Sequence, residues 1–320
     1  MDGINLREQI DQFLEYLEIE KGCSKLTIRD YRHYLEVFAD WYSPTPSTGS
    51  GPNGLPHKTI NDLDLISVRR FRDFLANRKD EKGRMLKKVT QNYYVIALRS
   101  LLRFLLKNDI KTLEPSKIDL PKTESRSLKF LERDQIDRLV TMPDTHKEEG
   151  KRDRAIMELL FSTGLRVSEL VSLDHERVNL ERREFGVIGK GGRARVVFIS
   201  DRAAQWIGEY LNARSDVFKP LFIRYSRGVD EADNGAKMRL TARSIERIVK
   251  KYVKMARLPV DATVHTLRHS FATDLLTNGA DIRSVQEMLG HKNIATTQIY
   301  THVTNKQLRD VHKAFHSGNK

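Results

Sequence analysis

Apolar residues recur at helical spacing along most of the chain. Leu6, Ile10, Phe13, Leu14 and Leu17 make one stripe, and Ile28, Tyr31, Leu35, Phe38 and Tyr42 make a second behind an N-cap at Ser24 or Thr27. Val68, Phe71, Phe74 and Leu75 predict a third helix, and Tyr94, Ala97, Leu98, Leu101, Phe104 and Leu105 a fourth. Aromatic residues at this spacing are assigned to a core rather than to base stacking. Between the second and third stripes, residues 43–57 are too rich in Pro, Gly and Ser to extend a helix, and they are expected to form a surface insertion.

The pattern breaks again at residues 115–126, which carry two prolines and no apolar period. This predicts a linker between a helical domain, 1–114, and a larger domain, 127–320. The second domain opens helically, with Ile136, Leu139 and Val140, then Ile156, Leu159, Leu160 and Leu165. From Glu184 to Ser200 the residues become β-branched and aromatic around a glycine-rich break, predicting a hairpin with Lys190 at its tip. Helices then return at Ile245–Met255, Thr266–Asn278, Ile282–Leu289, a short one reaching Tyr300, and Gln307–Phe315. Gly279 and Gly290 occupy stop positions and Asp281 an N-cap. The expected fold class is mainly α with one small antiparallel β-hairpin, in two domains.

With 320 residues the chain exceeds one ordinary core of up to ~250 residues, in keeping with the division. No apolar run approaches the roughly 18 residues of a membrane span, and the N-terminus lacks the basic-then-apolar pattern of an export signal. Cys23 is the single cysteine, which rules out an internal disulfide and a cysteine-built zinc site. These features predict a cytoplasmic, reducing setting. The net charge is +13, and the chain from Pro115 onward carries +10 of it. Such an excess is the footprint of a polyanion partner, with nucleic acid ahead of a membrane surface. Arg69, Arg70, Arg72, Lys87, Lys88, Arg99 and Arg103 in the first domain are either solvated faces or phosphate contacts.

Five polar features of the second domain exceed what helix packing requires. Arg166 follows a glycine break in Thr-Gly-Leu-Arg-Val-Ser-Glu-Leu, with Glu169 within reach one turn on. Lys190 sits between glycines. His265 and Arg268 lie three apart in His-Thr-Leu-Arg-His, where Leu267, Phe271 and Leu275 supply the buried stripe. His291 follows a helix end in Leu-Gly-His, and Tyr300 follows nine residues later in Thr-Thr-Gln-Ile-Tyr-Thr-His. Singly each has an ordinary structural explanation. Together they suit cleavage of a phosphodiester by a protein nucleophile without metal: arginines and histidines neutralise the phosphate, a tyrosine attacks and a lysine delivers a proton.

In order and spacing these motifs resemble the signatures of the tyrosine recombinases, the phage-integrase-like enzymes, and most of all the Xer type. The resemblance spans about residues 127–316, and the N-terminal region resembles that family's helical, SAM-like core-binding domain by pattern. It implies a two-domain clamp on double-stranded DNA carrying a specific recombination site. Tyr300 would attack the scissile phosphate to give a 3′-phosphotyrosyl intermediate and release a 5′-hydroxyl. Arg166 and Arg268 would bind the phosphate and His291 would donate a hydrogen bond to it. Lys190 would protonate the leaving oxygen, His265 would take the Tyr300 proton and Glu169 would orient Arg166. Arg193 and Arg195, beside Lys190, are read as DNA contacts.

The resemblance also implies a homo- or hetero-tetramer on two DNA sites, an accessory activator protein and association with the nucleoid. The C-terminal helix, 307–315, is expected to dock on a neighbouring protomer. No cofactor is expected: there is no Walker A loop, and although His265 and His269 imitate a zinc pair, Thr266 stands where a zinc protease carries its Glu. His269 and His302 are read as structural. Insertion 43–57 and the long stretch 224–239 depart from the family pattern without touching a catalytic position. Chromosome or plasmid dimer resolution leads over integration or excision of a mobile element. A type IB topoisomerase-like enzyme and a non-catalytic DNA-binding module are the remaining alternatives.

Overall fold

The computed structural model describes residues 5–44, 59–80, 83–121, 129–189, 192, 194–225, 232–291 and 293–300. The chain divides into two compact units, Met1–Ser125 and Arg126–Lys320. The surface insertion lies almost wholly outside the described residues, as do the end of the linker from residue 122, Lys190, Arg193, His302 and the C-terminal helix.

The first unit consists of α1 (Leu6–Ile19), α2 (Lys25–Tyr42), α3 (Leu65–Asn77) and α4 (Lys88–Lys107). Ser24, not Thr27, caps α2: its hydroxyl accepts from the Thr27 amide at 3.3 Å. Asp64 does the same for α3 by accepting from the Ser67 amide at 2.7 Å. The stripes converge on Phe13, Leu35, Phe38, Phe71, Leu98 and Leu101, all buried, so the aromatic residues at these positions form the core. The stretch read as a linker begins inside this unit. Pro115–Lys117 is a 3₁₀ turn, and Pro115 and Ile118 are buried.

The second unit is built around α6 (Glu148–Thr163), which is buried on nearly every side. Against it pack α5 (Arg133–Val140), α8 (Asp201–Ala213), α9 (Ala242–Met255) and α10 (Val264–Thr277), and α11 (Ile282–Leu289) packs on α10. Two short helices, α7 (Val167–Val171) and α12 (Ala295–Gln298), complete the described α-helices of this unit. The Leu131 amide donates to the Ser270 hydroxyl at 2.8 Å, joining the start of the unit to α10. A two-stranded antiparallel sheet, β1 (Glu184–Ile188) and β2 (Ala194–Phe198), pairs Gly186 with Val196. Alternation sends Phe185, Val187 and Val197 into the core and leaves Ile188, Val196 and Phe198 exposed.

Helix α10 departs from the stripe expected of it. Phe271 and Leu275 are only partly buried, whereas Thr266, Arg268, Ser270 and Thr273 are buried along with Leu267. The helix is enclosed on most of its circumference, because α6, α9 and α11 all lie against it. Arg268 therefore does not stand on an open face.

Two helix ends near Arg268 share one solution. α6 stops at Gly164 with φ +60° and α11 at Gly290 with φ +63°, the left-handed region that glycine enters without a Cβ penalty. A Cβ at Gly164 would lie 2.5 Å from the Phe271 ring. Gly164→Ala is therefore expected to lose about 1–2 kcal/mol to the left-handed backbone and more to the ring contact. Urea denaturation checks this, and an unchanged midpoint would contradict the account.

Candidate active site

Arg268 is the centre of the described site. It is 2% exposed, and its guanidinium donates to the Gly164 carbonyl at 2.5 Å and the Leu289 carbonyl at 2.6 Å. These carbonyls belong to the C-terminal ends of α6 and α11, where the helix dipoles are negative. A buried cation is thus held by two helix ends rather than by a direct carboxylate partner. Burial, then the nearby Arg166 charge, lowers its pKa to about 10, which leaves it charged at neutral pH.

The same guanidinium meets His291 Nε2 at 3.1 Å. Arginine can only donate, so Nε2 is the acceptor and the ring carries its proton on Nδ1, which donates to the Thr297 hydroxyl at 3.0 Å. The Gly290 turn and the Gln286 amide, which donates to the His291 carbonyl at 3.0 Å, fix the backbone here.

Arg166 is the residue before α7. Glu169, one turn on, accepts from the Arg166 backbone amide at 2.8 Å and from its guanidinium at 2.9 Å. The Arg166 side chain remains 30% exposed, whereas that of Glu169 is 4% exposed. Arg195 of β2 grips the other edge of this carboxylate, with bonds of 2.9 and 2.8 Å to its two oxygens. Burial alone would raise the Glu169 pKa. The hydrogen bond from Arg195, the Arg166 amide, the Arg195 charge and the Arg166 guanidinium bond outweigh it and hold the carboxyl down to about 2.

Tyr300 is 1% exposed, in a cluster with Ala272, Leu276, Val285 and Leu289. Its hydroxyl lies 2.7 Å from His269 Nδ1, one turn along α10 from His265. The His265 and His269 rings meet edge to face with centroids 4.6 Å apart. Burial pushes the Tyr300 phenol up to about 12 and, with His265 and Arg268 adding to it, pushes His269 down to about 4. Burial and the charges of Arg268 and Arg166 bring His291 to about 4 as well. His265 is the most open of the three, and desolvation followed by Arg268 and Arg166 lowers it too. At neutral pH, His269 and His291 are uncharged rings beside charged arginines.

Of the residues singled out from sequence, the structure brings together Arg166, Glu169, His265, Arg268, His291 and Tyr300. Lys190 and Arg193 lie outside the described residues. Arg195 departs from its reading as a DNA contact, because its guanidinium is turned inward onto Glu169 and the Met288 carbonyl. Three partners were not anticipated: His269 at the Tyr300 hydroxyl, Thr297 behind His291, and Arg195 on Glu169. His269 carried a signal in the sequence, since i and i+4 on one helix face place it beside His265. Among the described residues, no group of three or more His, Cys, Asp or Glu is arranged to hold a metal ion.

Comparison with known proteins agrees with this fold. Residues 129–307 match the Phage integrase family, and residues 10–50 match the Phage integrase, N-terminal SAM-like domain. The chain belongs to the phage integrase family. It is 38% identical over 308 residues to Tyrosine recombinase XerD of Lacticaseibacillus casei, covering 96% of this chain and 98% of that protein. It is 35% identical to Tyrosine recombinase XerD of Staphylococcus epidermidis, with the same coverage of both chains. In fold it is similar to the Tn1549 transposon integrase in complex with transposon right end DNA, with TM-score 0.69, 20% identity, and 96% of this chain and 99% of that one covered. It is also similar to the XerH site-specific recombinase bound to difH substrate, with TM-score 0.67, 21% identity, and 96% and 84% covered.

The depressed histidines give stability a definite pH dependence. The ordinary pKa is 6.5, so an unfolded ring takes up its proton first as pH falls, while His269 and His291 stay neutral in the folded chain down to about 4. Their contribution is complete above about 6.5 and is lost progressively towards about 4. The melting temperature is expected to fall across this window, and His269→Gln or His291→Gln should flatten the fall. A double variant with the wild-type profile would contradict the assignment.

Proposed function

We propose that this protein is a site-specific DNA recombinase that cuts and rejoins strands through Tyr300. One observation carries the reading: helix α10 gathers a buried arginine at its core, an imidazole on the Tyr300 hydroxyl at 2.7 Å and a second imidazole alongside. A single rigid element thus unites the anion-binding group with the imidazole that meets the nucleophile.

In this scheme Arg166 and Arg268 hold the non-bridging oxygens of the scissile phosphate, where charge accumulates in the transition state. His291 adds a hydrogen bond as it gains a proton, a change that an incoming phosphate favours by offsetting the arginine charge. The Tyr300 oxygen attacks phosphorus and forms the 3′-phosphotyrosyl bond. The phosphorus bond to the 5′ oxygen breaks, and Lys190 supplies the proton that makes this leaving group a hydroxyl. A phenol at about 12 needs a base, and His265 and its neighbour His269 are the imidazoles that serve it. Attack by the 5′-hydroxyl of another strand reverses the step and restores Tyr300, with no ATP and no metal in the balance.

The partners in this reading are double-stranded DNA with a recombination site, a homo- or hetero-tetramer on two such sites, and an accessory activator. The net charge of +13 suits phosphate contacts by both domains, 1–114 and 127–320. The cytoplasm, at the nucleoid, is the setting. Among the described residues no helix is long and apolar enough to cross a membrane. The likeness to XerD proteins favours dimer resolution over integration of a mobile element.

The test is denaturing-gel capture on duplex pools nicked near random candidate sites. Wild type is expected to give a covalent band that Tyr300→Phe lacks, and sequencing the trapped DNA would name the site. Arg268→Lys should keep DNA affinity and lose on the order of 10²–10³ in cleavage rate. A band surviving in Tyr300→Phe would overturn the scheme.

A further inference from the structure

Arg195 sits where three elements of the site meet. It projects from β2, bonds both oxygens of Glu169 in α7, and donates from Nε to the Met288 carbonyl at 3.0 Å near the end of α11. Its side chain is 10% exposed. The fit is close: a Cβ on Gly290 would lie 3.2 Å from Arg195 Cδ and 3.3 Å from Nη1. Gly290 is therefore required twice, for its left-handed φ and for the room that Arg195 occupies.

The charges decide what this contact does. Glu169 carries one negative charge and faces two arginines, Arg166 and Arg195. With Arg195 in place the trio is net positive, and Arg166 can share its carboxylate while turning donors to an anion. Without Arg195, Arg166 and Glu169 would form a closed neutral pair, with Arg166 drawn towards the carboxylate at the moment it is needed at the phosphate.

We propose that Arg195 is a positioning residue that balances Glu169, so that the Arg166 charge stays available to the scissile phosphate, and that ties the hairpin to the His291 turn. This rests on the recombinase reading above. It assigns Arg195 to the support of the site and not to the DNA backbone, and the two roles separate in their salt dependence. A side chain on a DNA phosphate contributes about 0.9 to the slope of log affinity against log salt, and a positioning residue contributes nothing.

The experiment measures the rate of Tyr300-linked adduct formation and DNA affinity at several KCl concentrations, on the duplex captured by the wild-type chain. Arg195→Met should slow adduct formation on the order of 10²-fold and leave affinity and salt slope unchanged. Adding Glu169→Gln to Arg195→Met should recover about tenfold of that rate, because the carboxylate charge that draws Arg166 away from the phosphate is gone. In the wild-type background Glu169→Gln should slow the reaction. This sign reversal is not expected of a residue that merely supports packing. Should Arg195→Met fail to fold, Arg195→Lys keeps the charge without the fork and should cleave more slowly than wild type with an unchanged slope.

A reduced salt slope in either variant would overturn the proposal in favour of a phosphate contact. So would an Arg195→Met rate equal to wild type, or a double variant no faster than Arg195→Met. A wild-type chain that captures no duplex would sink the recombinase reading itself, an outcome distinct from any of these.

Discussion

The organisation of the second unit follows from the need to keep a charged guanidinium inside it. Removing Arg268 from water has a large desolvation cost, and nothing apolar in a core offsets it. The fold meets this requirement with backbone. Two helices end against the side chain, each turning through a glycine, and each offers a carbonyl that no further helical turn consumes. Gly164 and Gly290 are thus part of the same device as Arg268, although they lie far from it in sequence. The arrangement also determines where His291 can be, since it is the residue immediately after the second glycine.

A second consequence is electrostatic. Around Arg268 the chain assembles Arg166 and Arg195 against one carboxylate, with imidazoles kept neutral by burial and by that same positive field. The site therefore has unspent positive charge before any ligand arrives. Such charge is fixed by the fold, so little reorganisation is needed when negative charge builds up on a bound phosphate. The neutral rings add a reserve, because an anion beside them raises their affinity for protons and converts acceptors into donors.

Much of this was legible in the sequence because it is encoded locally. Helix periods in the first unit, the N-cap at Asp281, the choice of Ser24 or Thr27 for the second helix, the stop at Gly290 and the β-branched hairpin all depend on residues within a few positions of one another. The set of Arg166, Glu169, His265, Arg268, His291 and Tyr300 was visible as residue types that packing alone does not explain. What escaped depended on distance in the chain. Arg195 meets Glu169 across 26 positions, and Tyr300 meets His269 across 31. No local rule says which of two histidines one turn apart will face the phenol. The stripe read on α10 failed for a related reason: a helix enclosed by three neighbours has no single buried face, so its period says little about which polar residue is covered.

Tyr300 is among the most enclosed side chains in the molecule. On the proposed function, a chain with a net charge of +13 would also be held by phosphates on DNA of arbitrary sequence. A phenol exposed beside Arg268 would then face every such strand. With the Tyr300 hydroxyl enclosed against His269, the group proposed to attack meets a phosphate only after the chain rearranges around a bound site, so holding DNA and cutting it would be separate events.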